Sequence, residues 1–285
     1  MNKIDTQIID GKKMALQIEH DLATEIASFD SKPGLAVILV GDNPASIIYV
    51  NHKKKAAEQI GINAQIFHLS PVMTQDALIS FVKELNNHPD IHGIIVQLPL
   101  PKHISEDAVL DEIHPDKDID GLHPINMGNL FIDRPNLIPC TPLACKILLK
   151  SVCPDLTGKN AVVIGRSRLV GKPMTQLLLS EQCTVTQAHS KTVNLAEVCR
   201  NADIIISATG SAGLIQKSFV KKGAILIDVG IIRKADKKIV GDVVFDDMIG
   251  LAGAITPVPG GVGPMTVAML LVNVVKAYKK QMQCQ

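Results

Sequence analysis

The chain has 285 residues and a formal net charge of +1, from 29 basic and 28 acidic residues, and only 3% of its residues are aromatic. The balanced charge argues against a nucleic-acid or membrane-surface partner held by bulk electrostatics, and the scarcity of aromatic rings argues against base stacking. The length allows two domains with a large buried core.

Six cysteines are spread along the chain without a Cys-x-x-Cys pair, at positions 140, 145, 153, 183, 199 and 284. Irregular spacing of this kind is typical of reduced, mostly buried thiols and indicates a reducing compartment. The N-terminal segment lacks the apolar core of a signal peptide, and no apolar run is long enough to cross a bilayer. We therefore expect a cytoplasmic α/β protein with no membrane partner.

Helices and strands alternate in the prediction for the first hundred residues. Asp10 is placed to cap a helix whose apolar stripe runs from Met14 to Phe29. Asn43 caps a second helix with Pro44 at its first position, and Thr74 starts a third. Apolar strands are predicted at 35–40, 64–69 and 93–98. This alternation implies a parallel sheet.

A second α/β series is predicted after a polar, acidic loop at 114–122, a helix at 143–152 and a boundary at 154–158. Its predicted strands are 161–164, 184–188, 204–208, 224–229 and 254–256. Its predicted helices are about 171–181 and 193–200, and a closing helix runs from Gly263 to about Met282. The pattern predicts two α/β domains, and ligands are expected in the cleft between them.

A proline- and glycine-rich segment follows the last strand, with three prolines and three glycines between Pro257 and Pro264. Neither a helix nor a central strand tolerates that density, so the segment is a loop. It lacks the Ser, Asn, Asp and Lys of a solvated linker, and glycine allows close approach of backbone to a ligand. It is either a tight turn that only packs or one wall of a ligand site, and we favour the wall.

A glycine-rich turn, Gly165 to Gly171, links the strand at 161–164 to a helix. Such a turn presents backbone N–H groups and a helix N-terminus to an anion. It is not G-x-G-x-x-G, because Ser167 takes the second glycine position, so an ordinary strand-to-helix turn is the alternative. No acid follows the next strand, where an NAD site would place one, whereas Arg166 and Ser190 suit a 2′-phosphate. The pattern favours NADP, although Arg166 can also be read as a surface arginine and Ser190 as a helix cap.

Tyr49 and Lys53 are four residues apart and therefore share one helix face. A lysine beside a tyrosine can act in proton transfer if the lysine is desolvated. The alternative is a solvated lysine in the basic run of residues 53–55. Gln97 falls where its strand is expected to end, and ligands bind at the carboxyl ends of strands in open α/β sheets.

The acidic loop resembles the opening of a calcium site but does not complete one. Asp116 to Gly121 fits D-x-D-x-D-G, yet Met127 occupies the twelfth position, where a bidentate Glu is required. The spacing of His114 and His123 excludes a helical zinc pair. We predict no metal site, and we interpret the loop as the source of one carboxylate that binds the N–H donors of a heterocycle.

Six motifs occur in a fixed order along the chain: Tyr49-x-x-x-Lys53, Val96–Pro101, Asp118–Gly121, Pro139–Pro142, Gly165–Pro173 and Pro259–Thr266. Together they resemble the bifunctional methylenetetrahydrofolate dehydrogenase/methenyltetrahydrofolate cyclohydrolase family, and the resemblance spans nearly the whole chain. One departure is Asn129, where the family pattern has a basic residue in Gly-Arg-Leu. It lies outside the implied catalytic positions and affects only a local contact.

The resemblance implies an N-terminal α/β catalytic domain, residues 1–140, with a C-terminal helix of about 264–285 packing back on it. It implies a Rossmann-like NADP-binding domain at 141–263 and a homodimer. The implied reactions oxidise 5,10-methylenetetrahydrofolate with NADP⁺ and then hydrolyse the methenyl product to 10-formyltetrahydrofolate. These reactions belong to one-carbon metabolism and supply purine biosynthesis.

The resemblance also assigns roles to single residues. It implies that Lys53 is the catalytic lysine and that Gln97 lies next to it. It also implies that Tyr49 stacks on the pterin and that Asp120 binds the amine edge of the pterin. The other residues implied to line the folate site are Leu98, Pro257, Pro259, Gly260, Gly261 and Val262. The residues implied to hold NADP are Gly165, Arg166, Ser167, Gly171, Ser190 and Ile231.

Two other functions stay open at this stage. One is a monofunctional NAD(P)-dependent methylenetetrahydrofolate dehydrogenase, and the other is a non-catalytic dinucleotide-binding module. The missing acid argues against an NAD enzyme. The presence of Tyr49, Lys53, Gln97 and Asp120 argues against loss of hydrolysis and against a decayed site.

Overall fold

The computed structural model describes residues 4–283, so the predicted thiol of Cys284 lies outside the described residues. The strands are β1 (Gln7–Ile8), β2 (Gly34–Val40), β3 (Asn63–Leu69), β4 (Gly93–Val96), β5 (Asn160–Ile164), β6 (Thr184–Ala188), β7 (Ile204–Ser207), β8 (Ile225–Asp228), β9 (Ile232–Arg233), β10 (Ile239–Val240) and β11 (Ala254–Ile255). The helices are α1 (Gly11–Ile26), α2 (Pro44–Gln59), α3 (Gln75–Asn87), α4 (Glu106–Leu110), α5 (Pro124–Phe131), α6 (Cys140–Val152), α7 (Gly171–Ser180), α8 (Leu195–Arg200), α9 (Phe245–Met248) and α10 (Val262–Gln283).

The chain divides into two compact α/β units, as the sequence predicts. The six-stranded unit comprises Thr141–Thr266 and the described part of Met1–Ala15. The three-stranded unit comprises Leu16–Cys140 and the described part of Val267–Gln285. Within residues 4–283, no helix combines the length and the apolar character that crossing a membrane requires.

The three-stranded unit is built on a parallel sheet of order β3-β2-β4. All seven residues of β2 are buried, as expected for a strand covered on both faces. Asn43 caps α2 by accepting hydrogen bonds from the N–H groups of Ala45 and Ser46. Thr74 caps α3 in the same way, through the N–H of Ala77. These caps confirm the predicted helix starts.

The six-stranded unit contains a parallel sheet of order β1-β11-β8-β7-β5-β6. From β5 the chain passes to β6 on one side and then crosses to β7 on the other side. The strand order therefore reverses between β5 and β7. In open α/β sheets, the carboxyl ends of the strands at such a point form the ligand crevice.

Two backbone segments meet closely at that reversal. Gly165, directly after β5, has φ +128°, and a Cβ placed on it would lie 2.5 Å from the carbonyl oxygen of Ala208, which follows β7. A Cβ on Gly171, the first residue of α7, would overlap the carbonyl oxygen of Gly165. Glycine is therefore required at both positions, because the turn folds tightly against its own helix and against the neighbouring strand end.

The structure differs from the predicted elements at several boundaries. The helix expected to reach Phe29 ends at Ile26, and Phe29 instead stacks on Tyr278 with ring centroids 5.0 Å apart. The strand expected to reach residue 98 ends at Val96, ahead of Pro99 and Pro101, which lack backbone N–H groups. The predictions missed the short elements α4, α5, α9, β1, β9 and β10, which carry too few residues for a periodic signal.

His92 is a buried side chain whose protonation opposes folding. Its Nδ1 accepts the N–H of Gly34 at 2.9 Å, its ring lies edge-on to Tyr278, and among residues 4–283 its Nε2 has no hydrogen-bond partner. Burial lowers the pKa of His92, and the charge of Lys117 lowers it further while Asp90 opposes the shift. The folded state thus takes up this proton at a lower pH than the unfolded state does.

We expect His92 to make the protein less stable as pH falls below about 6.5. The unfolded chain then binds a proton at His92, whereas the folded protein, in which the pKa of His92 is lower, does not. The loss approaches about 1.4 kcal/mol per pH unit until the folded-state pKa is reached. Urea unfolding at pH 7.5 and pH 5 should show a smaller acid-induced loss in His92→Gln than in the wild type. A ring pKa at or above 6.5 in an NMR titration would contradict this expectation.

Gly171→Ala should destabilise the six-stranded unit by about 1–3 kcal/mol, because the added methyl must displace the backbone of Gly165. Gly128→Ala is the matched control. Gly128 lies within α5, and a Cβ there would meet no heavy atom within 4 Å. Removing a helical glycine should stabilise by about 0.5–1 kcal/mol. Calorimetric melting of both variants tests this, and an unchanged melting temperature for Gly171→Ala would rule out the close approach.

Candidate functional site

Lys53 and Gln97 form a direct hydrogen bond in the three-stranded unit. The Nζ of Lys53 donates to the Oε1 of Gln97 at 3.2 Å, and the Nε2 of Gln97 donates to the carbonyl oxygen of Leu98 at 2.7 Å. The second bond fixes the amide so that its oxygen faces the lysine. Both side chains are half-buried, since Lys53 lies on α2 and Gln97 directly follows β4.

Tyr49 lies one turn before Lys53 on α2, and 53% of its surface is exposed. An exposed aromatic ring beside a lysine–amide pair is available to stack on a planar ligand. Leu98 is partly buried and packs against the apolar core beneath the sheet. The structure thus brings together four of the residues that the sequence predicts for one site: Tyr49, Lys53, Gln97 and Leu98.

The turn that carries Asp120 is held by buried polar groups that the sequence analysis did not identify. Asn273, on α10, donates its Nδ2 to the carbonyl oxygens of Ile119 and Ile138, at 2.8 Å in each case. The thiol of Cys140 donates to the carbonyl oxygen of Ile119 at 3.3 Å, and its Sγ lies 4.0 Å from the Oδ1 of Asp120. The half-buried Asp120 therefore sits on a backbone fixed from two sides.

The electrostatics of Cys140 link Asp120 and Lys53 to the same region. Burial raises the pKa of the Cys140 thiol well above its usual value, and the charge of Asp120 raises it further. The charge of Lys53 acts in the opposite direction. The thiol is consequently protonated at neutral pH, and it serves as a hydrogen-bond donor rather than as a nucleophile.

Asp118, the other interior acid of this loop, has a structural role. It is 2% exposed, and its Oδ2 accepts the N–H of His123 and the Nδ2 of Asn126, both at 2.8 Å. Burial raises the pKa of Asp118, while these two donors oppose the shift. Asp120 and Asp118 thus have different environments, and Asp120 is the carboxylate left at the edge of the loop.

The loop from Pro257 to Val262 belongs to the six-stranded unit and packs tightly against the start of α1. The N–H of Lys12 donates to the carbonyl oxygen of Gly260 at 2.9 Å, and a Cβ on Gly11 would overlap the carbonyl oxygen of Gly261. Gly260 has φ +106°, and Pro259 is exposed. The close packing fixes the loop and presents Pro259 outward.

The predicted dinucleotide turn leads directly into the N-terminus of α7. The Oγ of Ser167 accepts the N–H of Val170 at 3.1 Å and that of Gly171 at 3.5 Å, which caps the start of α7. Arg166 is exposed beside it. A Cβ at Gly165 or Gly171 would crowd a backbone carbonyl oxygen, so the turn is tight where it enters the N-terminus of α7. The residues present therefore suit a dinucleotide phosphate.

The remaining predicted cofactor residues lie on neighbouring loops of the same unit. Ser190 is exposed in the turn that follows β6. Its alternative role as a helix cap is wrong, because α8 begins at Leu195 with Asn194 at its N-cap position. Ile231 is 55% exposed, and a Cβ on Gly263 would lie 3.6 Å from its Cδ1.

Two buried carboxylates, Asp228 and Asp242, stand at the carboxyl edge of the large sheet, and the sequence analysis assigned neither of them a role. Asp228 ends β8, and burial raises its pKa to about 6, although three backbone N–H donors lower it. Asp242 is 0% exposed. An acid at the last position of a buried apolar strand, as in Leu226-Ile227-Asp228, is the sequence signal that could have indicated such a site.

Among residues 4–283, no three His, Cys, Asp or Glu side chains converge so as to hold a metal ion. The histidines that flank the acidic loop have other partners. The Nδ1 of His123 accepts the N–H of Ile125 at 3.1 Å, and that of His114 accepts the N–H of Asp116 at 3.2 Å. Five cysteines of the described chain are free thiols: Cys140, Cys145, Cys153, Cys183 and Cys199.

Two family models match the chain and together cover most of it. The catalytic-domain model of tetrahydrofolate dehydrogenase/cyclohydrolase matches residues 9–120. The NAD(P)-binding-domain model of the same family matches residues 139–282.

Individual relatives agree with these models. The bifunctional protein FolD of Listeria innocua is 53% identical over 277 residues, which cover 96% of this chain and 98% of the relative. The crystal structure of the bifunctional FolD enzyme, methylenetetrahydrofolate dehydrogenase/cyclohydrolase, of Campylobacter jejuni has a TM-score of 0.94 and 46% identity, covering 96% of this chain and 99% of that one. The Trypanosoma brucei dehydrogenase-cyclohydrolase, solved with NADP cofactor and an inhibitor, has a TM-score of 0.93 and 40% identity, covering 99% and 100%. The chain belongs to the tetrahydrofolate dehydrogenase/cyclohydrolase family.

Proposed function

We propose that this protein oxidises 5,10-methylenetetrahydrofolate to the methenyl form with NADP⁺ and then hydrolyses that product to 10-formyltetrahydrofolate. The observation that carries the proposal is the hydrogen-bonded Lys53–Gln97 pair, flanked by the exposed ring of Tyr49. Membership of a family that combines both activities supports the same conclusion.

The first reaction places few demands on acid–base groups. The reacting carbon lies between two nitrogens, whose lone pairs delocalise the positive charge once hydride has left. Bound NADP⁺ supplies the hydride acceptor. No proton has to move, so the protein contributes mainly orientation. Tyr49 stacks on the pterin in this proposal, and Asp120 accepts hydrogen bonds from its amine edge.

The second reaction requires proton transfer. Water adds its oxygen to the methenyl carbon and gives up both of its protons as the formyl C=O forms. The bond from that carbon to one ring nitrogen breaks, the nitrogen takes up one proton, and the other proton is released. Lys53 is the proton-transfer group at this site, because its amine is held by the amide oxygen of Gln97, 3.2 Å away. Gln97 cannot turn its NH₂ group toward the lysine without losing its bond to the carbonyl oxygen of Leu98.

The cofactor preference follows from the charge at the edge of the large sheet. The strand β6 is followed by His189 and Ser190 rather than by an acid. An acid there would repel a 2′-phosphate, whereas the exposed Arg166 and Ser190 can bind one. We assign NADP to the turn formed by Gly165, Arg166, Ser167 and Gly171, with Ser190 and Ile231 alongside.

Three further assignments belong to the same proposal. The protein acts as a homodimer, which the family resemblance implies. It works in the cytoplasm, since the five described cysteines are free thiols, as expected in a reducing compartment. We also assign Pro257, Pro259, Gly260, Gly261 and Val262 to contact with the folate substrate, as the family resemblance implies; Pro259 is the exposed residue of this set.

A spectrophotometric assay with methylenetetrahydrofolate tests the function directly. NADPH should form with little build-up of the methenyl compound, added methenyltetrahydrofolate should be hydrolysed without cofactor, and NAD⁺ should be the poorer oxidant. Accumulation of the methenyl product without hydrolysis would leave a monofunctional dehydrogenase. Absence of turnover with either cofactor would indicate a binding module instead.

Lys53→Met should lower hydrolysis of methenyltetrahydrofolate by about 10²–10⁴-fold, since a positioned proton-transfer group contributes that much. The dehydrogenase reaction should retain part of its rate, because it transfers no proton. Lys55→Met is the matched control, since Lys55 is an exposed lysine of the same helix. Equal residual activity in both reactions, measured on folded Lys53→Met protein, would remove the assigned role.

A further inference from the structure

Asp242 binds the turn that follows β7. Its Oδ2 accepts the N–H of Thr209 at 2.7 Å, and its Oδ1 accepts the N–H of Ser211 at 2.9 Å. The Oγ of Ser207, the last residue of β7, donates a third hydrogen bond to Oδ2 at 2.9 Å. One fully buried carboxylate therefore accepts hydrogen bonds from both sides of the turn, at Thr209 and at Ser211.

Asp228 in turn fixes the segment that carries Asp242. Its Oδ1 accepts the N–H of Asp242 at 3.0 Å and that of Gly230 at 2.9 Å, while its Oδ2 accepts the N–H of Val243 at 2.9 Å. The N–H of Asp228 donates to the Oγ1 of Thr256 at 2.8 Å. Asp228 and Asp242 thus connect the ends of β7, β8 and β11 through one chain of hydrogen bonds, in which the link to β11 is the backbone N–H of Asp228.

The turn held by Asp242 lies at the point where the strand order reverses. The residue before it, Ala208, is the one whose carbonyl oxygen crowds Gly165 of the glycine-rich turn. At the tip of the held turn, Gly210 is exposed, has φ +66°, and a Cβ there would meet no heavy atom within 4 Å. The tip is therefore a bare backbone segment at the edge where a dinucleotide is expected.

We propose that Asp242 is a positioning residue for the dinucleotide, which sets the Thr209–Ser211 turn where its bare backbone forms one wall of the NADP site. The proposal rests on the NADP-dependent function proposed above. It extends that function to a residue that does not touch the cofactor, because the carboxylate is buried beneath the turn that it orients.

A carboxylate is specifically suited to this role. Both of its oxygens accept hydrogen bonds, and here all three donors point at them. An asparagine of the same shape would turn an NH₂ group toward one or more of these donors and would remove the negative charge. Hydrogen bonds to charged groups are stronger than those to neutral groups, and a donor left buried without an acceptor adds a desolvation cost. Asp242→Asn should therefore break the hydrogen bond from the N–H of Thr209 or from that of Ser211, so that one side of the turn is no longer held.

The test measures NADPH binding by fluorescence titration, together with hydrolysis of added methenyltetrahydrofolate in the absence of cofactor. We expect Asp242→Asn to raise the Kd for NADPH and the KM for NADP⁺ about tenfold or more, since one or two charge-assisted bonds to the turn are lost. Hydrolysis should stay within about twofold of the wild type, because the Lys53–Gln97 pair lies in the three-stranded unit.

Ser207→Ala is the matched control. It removes the hydroxyl donor to the same carboxylate but leaves both N–H bonds from the turn, so the Kd for NADPH should change by less than about twofold. If Asp242→Asn does not fold, Ser211→Pro replaces it. Proline removes the N–H that donates to Oδ1 at an exposed position, and the Kd should again rise several-fold.

An unchanged NADPH Kd in the folded variants would overturn the proposal. A parallel loss of NADPH binding and hydrolysis would overturn it too, because it would show a general structural role. Failure of the proposed function gives different results. Wild-type protein that binds NADPH but does not hydrolyse methenyltetrahydrofolate would refute bifunctionality and leave the role of Asp242 intact, whereas wild-type protein that binds no NADPH would refute both.

Discussion

Both units depend on parallel strands that are covered on both faces and therefore carry mainly apolar side chains. All seven residues of β2 are buried, and so are all four of β4 and of β7. Polar chemistry cannot be placed inside such strands without loss of stability, because an unpaired polar group is costly there. It is concentrated at the carboxyl ends, where Ser207 and Asp228 are the last residues of β7 and β8 and Gln97 directly follows β4.

In both units, buried acids accept hydrogen bonds from N–H and O–H donors. Asp118, Asp228 and Asp242 each accept two or more such bonds. A buried carboxylate must find donors, and loops supply them from several directions at once. The acids consequently determine loop conformation.

Helix caps and buried strands could be predicted from the sequence, because each depends on residues that are close together in the chain. The caps at Asn43 and Thr74 and the buried strands follow from neighbouring residues. Asn273 and Asp242 could not be found in the same way. Asn273 reaches Ile119 across 154 positions of the chain, and Asp242 reaches Ser207 across 35. A polar residue inside an apolar helix signals that a buried partner exists, but it does not say which one.

In the function proposed above, the pairing of Lys53 with Gln97 lets one site support two reactions of different demands. Hydride loss needs a fixed geometry, and proton transfer needs an amine at a defined distance. The amide meets both needs, because its NH₂ group is held by the carbonyl oxygen of Leu98 and its oxygen holds the lysine. A lysine kept in place by a neutral acceptor stays close to the substrate without the strong attachment that a carboxylate partner would impose. In that proposal the chemistry rests on an uncharged partner of Lys53, whereas Asp118, Asp228 and Asp242 position their own loops through their carboxylates.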